Sequence, residues 1–331
     1  MNPLHTVIGI DVANTSLAVS FFNGETHVFQ EIDYTKTSVK KTLITPHKKH
    51  KEDVVFVMEG TGVYQSRLAH WLFEEGFFVS VVNPLVIKRY GQMHLKRVKT
   101  DKADARLIAE YGWKYQQELI QFQPKGTHRI AVDNLIKAID DLLHQKNITG
   151  NQYHALQKQA HYSKEAARSY KKHLDFLKAE VKRLEKALHA LLEHEFSKEY
   201  ALLQSIPGIG LKVSATIIAF FGAFESFETA KQVCSFAGMA PSPYESGSSV
   251  KGRGAISKQG NAFTRKMLFM GALSATVYNP LVRQQYQRLL QKGKHKLVAL
   301  IAAANKLLRQ AFGVLKSGIP FDVHYAKTQV V

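Results

Sequence analysis

Strand-forming patterns occupy about the first 120 residues of this 331-residue chain and vanish after Pro124. A chain divided in this way needs a mixed α/β unit followed by a purely helical part. Thr6 to Val12 (TVIGIDV) and Ser16 to Phe22 (SLAVSFF) are short β-branched runs. Between them Asp11-Val12-Ala13-Asn14-Thr15 supplies turn chemistry, which predicts a hairpin. Thr26 to Ile32 alternates as a third strand. Asp53 to Met58 (DVVFVM) is the most apolar of these runs and is expected at the centre of the sheet. Gln65 to Glu75 has helical periodicity, Phe77 to Val82 reads as a strand, and Asp101 to Gln117 as a helix. The basic stretch Pro46 to Lys51 reads as an exposed loop.

Three meandering strands followed by α-β-α-β-α is the order of a ribonuclease-H-like fold, assigned to residues 1–124. Residues 125–199 read as a helical spacer. Within it Tyr170, Leu174, Leu177, Val181, Leu184, Leu188 and Leu191 recur at alternating steps of four and three, a heptad seam. The break at His161-Tyr162-Ser163 permits an intrachain hairpin or an intermolecular coiled coil, and the pattern does not choose between them. Residues 200–331 are expected to be all-α and rich in small residues. They carry a helix-hairpin-helix at Ser205-Ile206-Pro207-Gly208-Ile209-Gly210-Leu211-Lys212 and a flexible, cationic Gly/Ser-rich loop over residues 245–254.

Charge narrows the partner. Lys and Arg number 45 against 27 Asp and Glu, a net charge of +18, which favours a polyanion. The longest apolar run, Ala215 to Phe224, is about half of the roughly 20 residues that a bilayer crossing needs. A single cysteine cannot form an internal disulfide. Cys234 lies on an apolar helical stretch and is expected in the core. A cytoplasmic, nucleic-acid-facing protein without a membrane role is expected. No G-x-x-x-x-G-K-[ST] loop argues for nucleotide hydrolysis, and no H-E-x-x-H or Cys/His pattern argues for zinc.

Four carboxylates stand out by position. Asp11 and Glu59 end the first and fourth strands, which are neighbours in a ribonuclease-H-like sheet, and Asp101 and Asp104 open the last helix of that unit at i and i+3. Converging carboxylates repel one another unless a hard cation such as Mg²⁺ lies between them, where it can activate a nucleophile at a phosphodiester. Competing structural roles exist: Asp11 as a turn residue and Asp101 as a helix cap with Asp104 three residues on. In the hairpin, Gly208 and Gly210 expose consecutive amides and Lys212 adds charge, an arrangement that holds phosphates without reading sequence. In the Gly/Ser-rich loop, Ser246, Ser248 and Ser249 are potential nucleophiles, and Lys251 and Arg253 neutralise phosphate charge. Ser248 to Lys251 also spells S-x-x-K, but the companion S-D-N and K-T-G motifs of penicillin-binding enzymes are absent.

Ile8-Gly9-Ile10-Asp11, Met58-Glu59-Gly60-Thr61-Gly62-Val63-Tyr64, Val82-Asn83-Pro84 and Lys99-Thr100-Asp101-Lys102-Ala103-Asp104-Ala105 resemble the DEDD transposases of bacterial insertion sequences, whose N-terminal domain is RuvC-like. Ile206 to Gly210, Phe236 to Pro241, Tyr244 to Gly247 and Gly313 to Gly318 resemble the C-terminal transposase domain of the same family. The resemblance implies a recombinase guided by a structured bridge RNA that pairs with donor and target DNA. It implies that Asp11, Glu59, Asp101 and Asp104 hold Mg²⁺, that Ser246 in its Tyr-Glu-Ser-Gly context forms a transient phosphoserine link to DNA, and that dimers pair into a tetramer. Two other functions compete: a Holliday-junction endonuclease of the same fold that uses water, and a nucleic-acid-binding protein without catalysis.

Overall fold

The structure is a computed structural model that describes residues 6–60, 62, 64–94, 100–242, 245–246, 250–251, 255–257 and 259–324, with the backbone alone over the described part of 242–255. It divides into two compact units, Met1–Pro124 and Lys125–Val331.

The first unit is built on a five-stranded sheet in the order β3-β2-β1-β4-β5. Its strands are β1 (Thr6–Val12), β2 (Ser16–Phe22), β3 (His27–Asp33), β4 (Val54–Glu59) and β5 (Phe78–Val82). The first three form an antiparallel meander, and β4 joins β1 in parallel with Ile10 opposite Met58. The β-branched runs therefore become strands where alternation and turn residues place them, and the most apolar run sits centrally, buried on both faces. Pleating sends Ile8, Ile10 and Val12 into one core with Leu68 and Leu72 of α2 (Tyr64–Glu74). Val7, Val55 and Val57 enter a second core on the opposite face, with Leu107 and Ile108 of α4 (Asp101–Lys114).

Two helices of this unit escape the periodicity reading. α1 (Lys36–Val39) runs into a π-helical turn, Lys40–Ile44, and α3 (Pro84–Met93) follows β5 directly. Both begin at a cap legible in the sequence: the Thr35 side chain accepts from the Ser38 N–H, and that of Asn83, ahead of Pro84, accepts from the Leu85 N–H.

In the second unit α5 (Thr127–Gln157) and α6 (Lys164–Glu195) form an intrachain antiparallel hairpin. Tyr153 faces Tyr170 near the bend, and His128 pairs with Glu195 at 2.5 Å at the open end. Leu177, Val181 and Leu188 of the heptad seam are buried, so the seam meets α5 of its own chain. The hairpin shares one core with α7 (Ser197–Gln204), α8 (Leu211–Phe221), α9 (Ala230–Phe236), α10 (Ala262–Tyr278), α11 (Pro280–Gln291) and α12 (Lys296–Ser317). Arg129 of α5 donates to the Ile218 and Ala219 carbonyls at the end of α8, satisfying groups that a helix C-terminus leaves open. By length and composition α12 is apolar enough to cross a membrane, yet its Ala303, Leu307, Leu308 and Ala311 are packed in this core.

The expectation of an all-α C-terminal region needs correction. Short strands β6 (Pro241–Ser242) and β9 (Ala255–Ile256) pair antiparallel, as do β7 (Glu245–Ser246) and β8 (Val250–Lys251), so the described residues of the expected loop form strand pairs. Each strand is two residues long, too short for alternation to show, which hid the pairing.

Candidate active site and nucleic-acid interface

The backbone brings the four predicted carboxylates to one edge of the first unit. Asp11 lies within β1 opposite Ala18, so it does not open the turn. Parallel pairing of Ile10 with Met58 puts Asp11 and Glu59 at the next step of adjacent strands, both half-buried. The pleat turns Asp11 to the face of Val7, and Glu59 to that of Val55 and Val57, which is the face that α4 covers.

The crossing of α4 over this face depends on Gly9. A Cβ there would stand 2.4 Å from the Ala105 carbonyl oxygen and 2.4 Å from the Ala109 nitrogen. Further along, Gly112 lies against Val7 and Val57. The helix thus runs antiparallel to β1, and its first turn lies over the strand ends that carry Asp11 and Glu59. Asp101 and Asp104 occupy that first turn, where the positive end of the helix dipole favours negative charge. The cap is Thr100, whose side chain accepts from the Ala103 N–H at 3.2 Å, so Asp101 does not serve as the N-cap.

All four donors are carboxylate oxygens, the chemistry that Mg²⁺ takes. They share an edge without closing into a cluster: among the described residues no group of three His, Cys, Asp or Glu could hold a metal ion.

The second unit carries the other candidates. Ser246 lies in β7 with its backbone opposite Val250, and Glu245 lies opposite Lys251. Ser248, Ser249 and Arg253 lie outside the described residues. The turn between α7 and α8 contains Gly208 at φ +102°, a left-handed conformation that L side chains rarely adopt. It packs so tightly on α10 that a Cβ would stand 2.5 Å from the Ala275 Cβ. Asn279 donates to the Pro207 carbonyl at 3.2 Å and fixes the turn from the other side. Gly210 is the N-cap of α8, and a Cβ there meets nothing within 4 Å. Lys212 pairs with Glu185 at 2.8 Å, and Lys266 with Asp140 at 2.7 Å, across a cleft of about 840 Å³ lined by this turn, α5 and α10. Both lysines are therefore partly neutralised within the chain.

Gly9, Gly112 and Thr100 place α4, and none of them is among the site residues expected from the sequence. The signal for Thr100 was present, as a Thr directly before the first helical residue. The glycines gave none, because their role depends on a crossing between distant segments.

Comparison with known proteins places the chain in a family. Residues 8–162 match the DEDD transposase family of IS110, and residues 200–287 match the Transposase IS116/IS110/IS902 family. The pilin gene-inverting proteins of Moraxella lacunata and Moraxella bovis are each 32% identical over 324 residues, covering 96% of this chain and 98% of theirs. The transposase for insertion sequence element IS1111A of Coxiella burnetii is 24% identical over 230 residues, covering 61% of this chain and 62% of its own. Two family matches in order along the chain, joined by end-to-end relatives, identify a DNA-recombining enzyme: the chain belongs to the IS110 family of transposases.

Proposed function

We propose that this enzyme cuts and rejoins DNA through a serine-linked intermediate, with Ser246 as nucleophile and Asp11, Glu59, Asp101 and Asp104 as the holders of Mg²⁺. The observation that carries the reading is the close crossing of α4 over Gly9, which brings two carboxylates of the helix to the strand ends that carry the other two. When bound, Mg²⁺ would supply charge that stabilises the pentavalent phosphate and lowers the pKa of the attacking hydroxyl. The Ser246 Oγ forms a bond to phosphorus as the P–O bond of the DNA backbone breaks. The serine proton passes to the freed sugar oxygen, and the reverse step joins a new strand end. The α7–α8 turn offers backbone phosphates the first-turn amides of α8, the Ile209 N–H being taken by the Ile206 carbonyl, with Lys251 and Arg253 adding charge and Lys212 shared with Glu185.

The family resemblance supports a structured guide RNA that pairs with donor and target DNA, and assembly as dimers pairing into tetramers in the cytoplasm. A second reading rests on the end-to-end likeness to pilin gene-inverting proteins, namely inversion of a DNA segment by the same chemistry. The DNA beside the gene separates the two: paired copies of one site in opposite orientation favour inversion, and a mobile-element boundary favours transposition.

The test of the chemistry is Ser246→Ala beside Asp11→Asn. Both variants are expected to bind DNA, and neither to form a denaturant-resistant protein–DNA adduct. An adduct that persists in Ser246→Ala moves the nucleophile to Ser248 or Ser249, and cleavage without any adduct makes water the nucleophile. Normal cleavage by Asp11→Asn in Mg²⁺ makes the carboxylates structural.

A further inference from the structure

The segment from Lys36 to Lys51 contains six lysines and no acidic residue, and nothing proposed above uses it. In the structure it becomes a built surface. Val39, Leu43 and Ile44 are buried against the core on the α2 side of the sheet. The π turn permits this: the Thr45 N–H reaches the Lys40 carbonyl five residues back at 2.8 Å, and the wider turn buries Leu43 and Ile44 together while Lys40, Lys41 and Thr45 stay outside. Lys36, Thr37, Lys40, Lys41 and Thr45 line one shallow concavity of about 540 Å³. The chain continues into exposed Lys48 and Lys49.

These charges are not consumed by the fold. Among the described residues Lys36, Lys40, Lys41, Lys48 and Lys49 enter none of the ion pairs, whereas Lys51 donates to the Glu75 carbonyl and lies over the Phe77 ring. Burial pushes the pKa of His47 down, which disfavours its cationic form. It also lies on the face of the sheet opposite to Asp11 and Glu59 and is separate from the candidate active site.

We propose that this surface binds the phosphate backbone of duplex DNA away from the cleaved bond. Residues 36–51 contain no Phe, Tyr, Trp or Arg, and of their two rings His47 is half-buried against Phe21 and His50 pairs with Asp53. They therefore lack the stacking platforms that take single-stranded nucleic acid and the bidentate forks that read guanine edges. What remains is compact ammonium charge beside two threonine hydroxyls, the donor set that positions a duplex through its phosphates. This inference rests on the DNA-recombining activity of the family and is independent of the serine chemistry.

The test uses the full chain with Lys36, Lys40 and Lys41 each changed to Gln, which keeps the aliphatic stems. Binding to a random-sequence 30-base-pair DNA duplex is followed by fluorescence anisotropy across a salt series, with thermal melting as a check on folding. A charge-matched control changes exposed Lys171, Lys172 and Lys182 on α6 to Gln. Removing three phosphate contacts should make the slope of log affinity against log salt shallower by about 2.7, and the control should change it by less than about 1. Three results overturn the proposal: an unchanged duplex slope, an equal change in the control, or a loss confined to single-stranded RNA. A patch variant that fails to melt cooperatively is replaced by the three single Gln variants, each expected to lower the slope by about 0.9.

Discussion

At the scale of single residues, Gly9 decides whether a carboxylate edge can exist. Any side chain there enters the backbone of α4, and backbone cannot rotate aside as a flexible side chain can. Gly9→Ala is expected to destabilise the protein by about 3 kcal/mol, seen as a lower denaturant midpoint, through overpacking at the helix crossing. It should also lose DNA cleavage while leaving all four carboxylates in the chain, because α4 no longer holds Asp101 and Asp104 over the ends of β1 and β4. A variant of normal stability would mean that α4 does not cross the sheet there. Cys234 makes the opposite kind of case. Burial raises its thiol pKa despite the nearby Arg309, so little thiolate forms at neutral pH. Native protein should react with a thiol reagent many times more slowly than unfolded protein, which rapid labelling would show directly.

At the scale of elements, the α7–α8 turn shows how one short motif divides its work. Gly208 is required by the fold, since both its φ and its contact with Ala275 exclude a side chain. A substitution there therefore reports on folding and says little about phosphate binding. Gly210 allows a cleaner experiment, because it caps α8 in extended backbone with open space at its Cβ. Asp is a good N-cap, so Gly210→Asp should hold or slightly raise stability, by under about 1 kcal/mol. The same carboxylate would repel a phosphate, so affinity for nucleic acid should fall about equally across sequences. Unchanged affinity in that variant would remove the turn from the interface. This division also marks what the sequence made legible. Strands β1 to β5 and the order of the carboxylates could be read, because β-branched runs bounded by turn residues carry local information. The heptad seam left its partner open, since an intrachain and an intermolecular seam need the same apolar spacing. The strand pairing at Ser246 was hidden, because two-residue strands are too short to show hydrophobic alternation. The lysine surface was read only from Pro46 onward, because the π turn that joins Lys36, Lys40 and Lys41 to it breaks helical periodicity.

At the scale of the whole molecule, the proposed chemistry is divided between two compact units. Asp11, Glu59, Asp101 and Asp104 belong to the first and Ser246 to the second. Each unit has its own hydrophobic core, so a substitution at one candidate site leaves the packing of the other unit intact. The net charge of +18 makes affinity for DNA largely electrostatic, falling steeply as salt rises, and neither Ser246→Ala nor Asp11→Asn weakens that attraction. The two inactive variants can therefore assemble together on one DNA. If a working site takes its carboxylates from one chain and its serine from another, mixing Ser246→Ala with Asp11→Asn restores sites in which both partners are intact. With random pairing in a dimer, half of the assemblies are mixed, and each has one intact site of two. Adduct formation should then recover to about a quarter of the wild-type level, read as denaturant-resistant protein–DNA complex on a gel. If each chain supplies both parts of its own site, every site in the mixture lacks either Asp11 or Ser246, and no adduct appears at any mixing ratio. The adduct itself reports which chain supplies the serine: tagging the two variants with different masses should place the DNA on the Asp11→Asn chain alone.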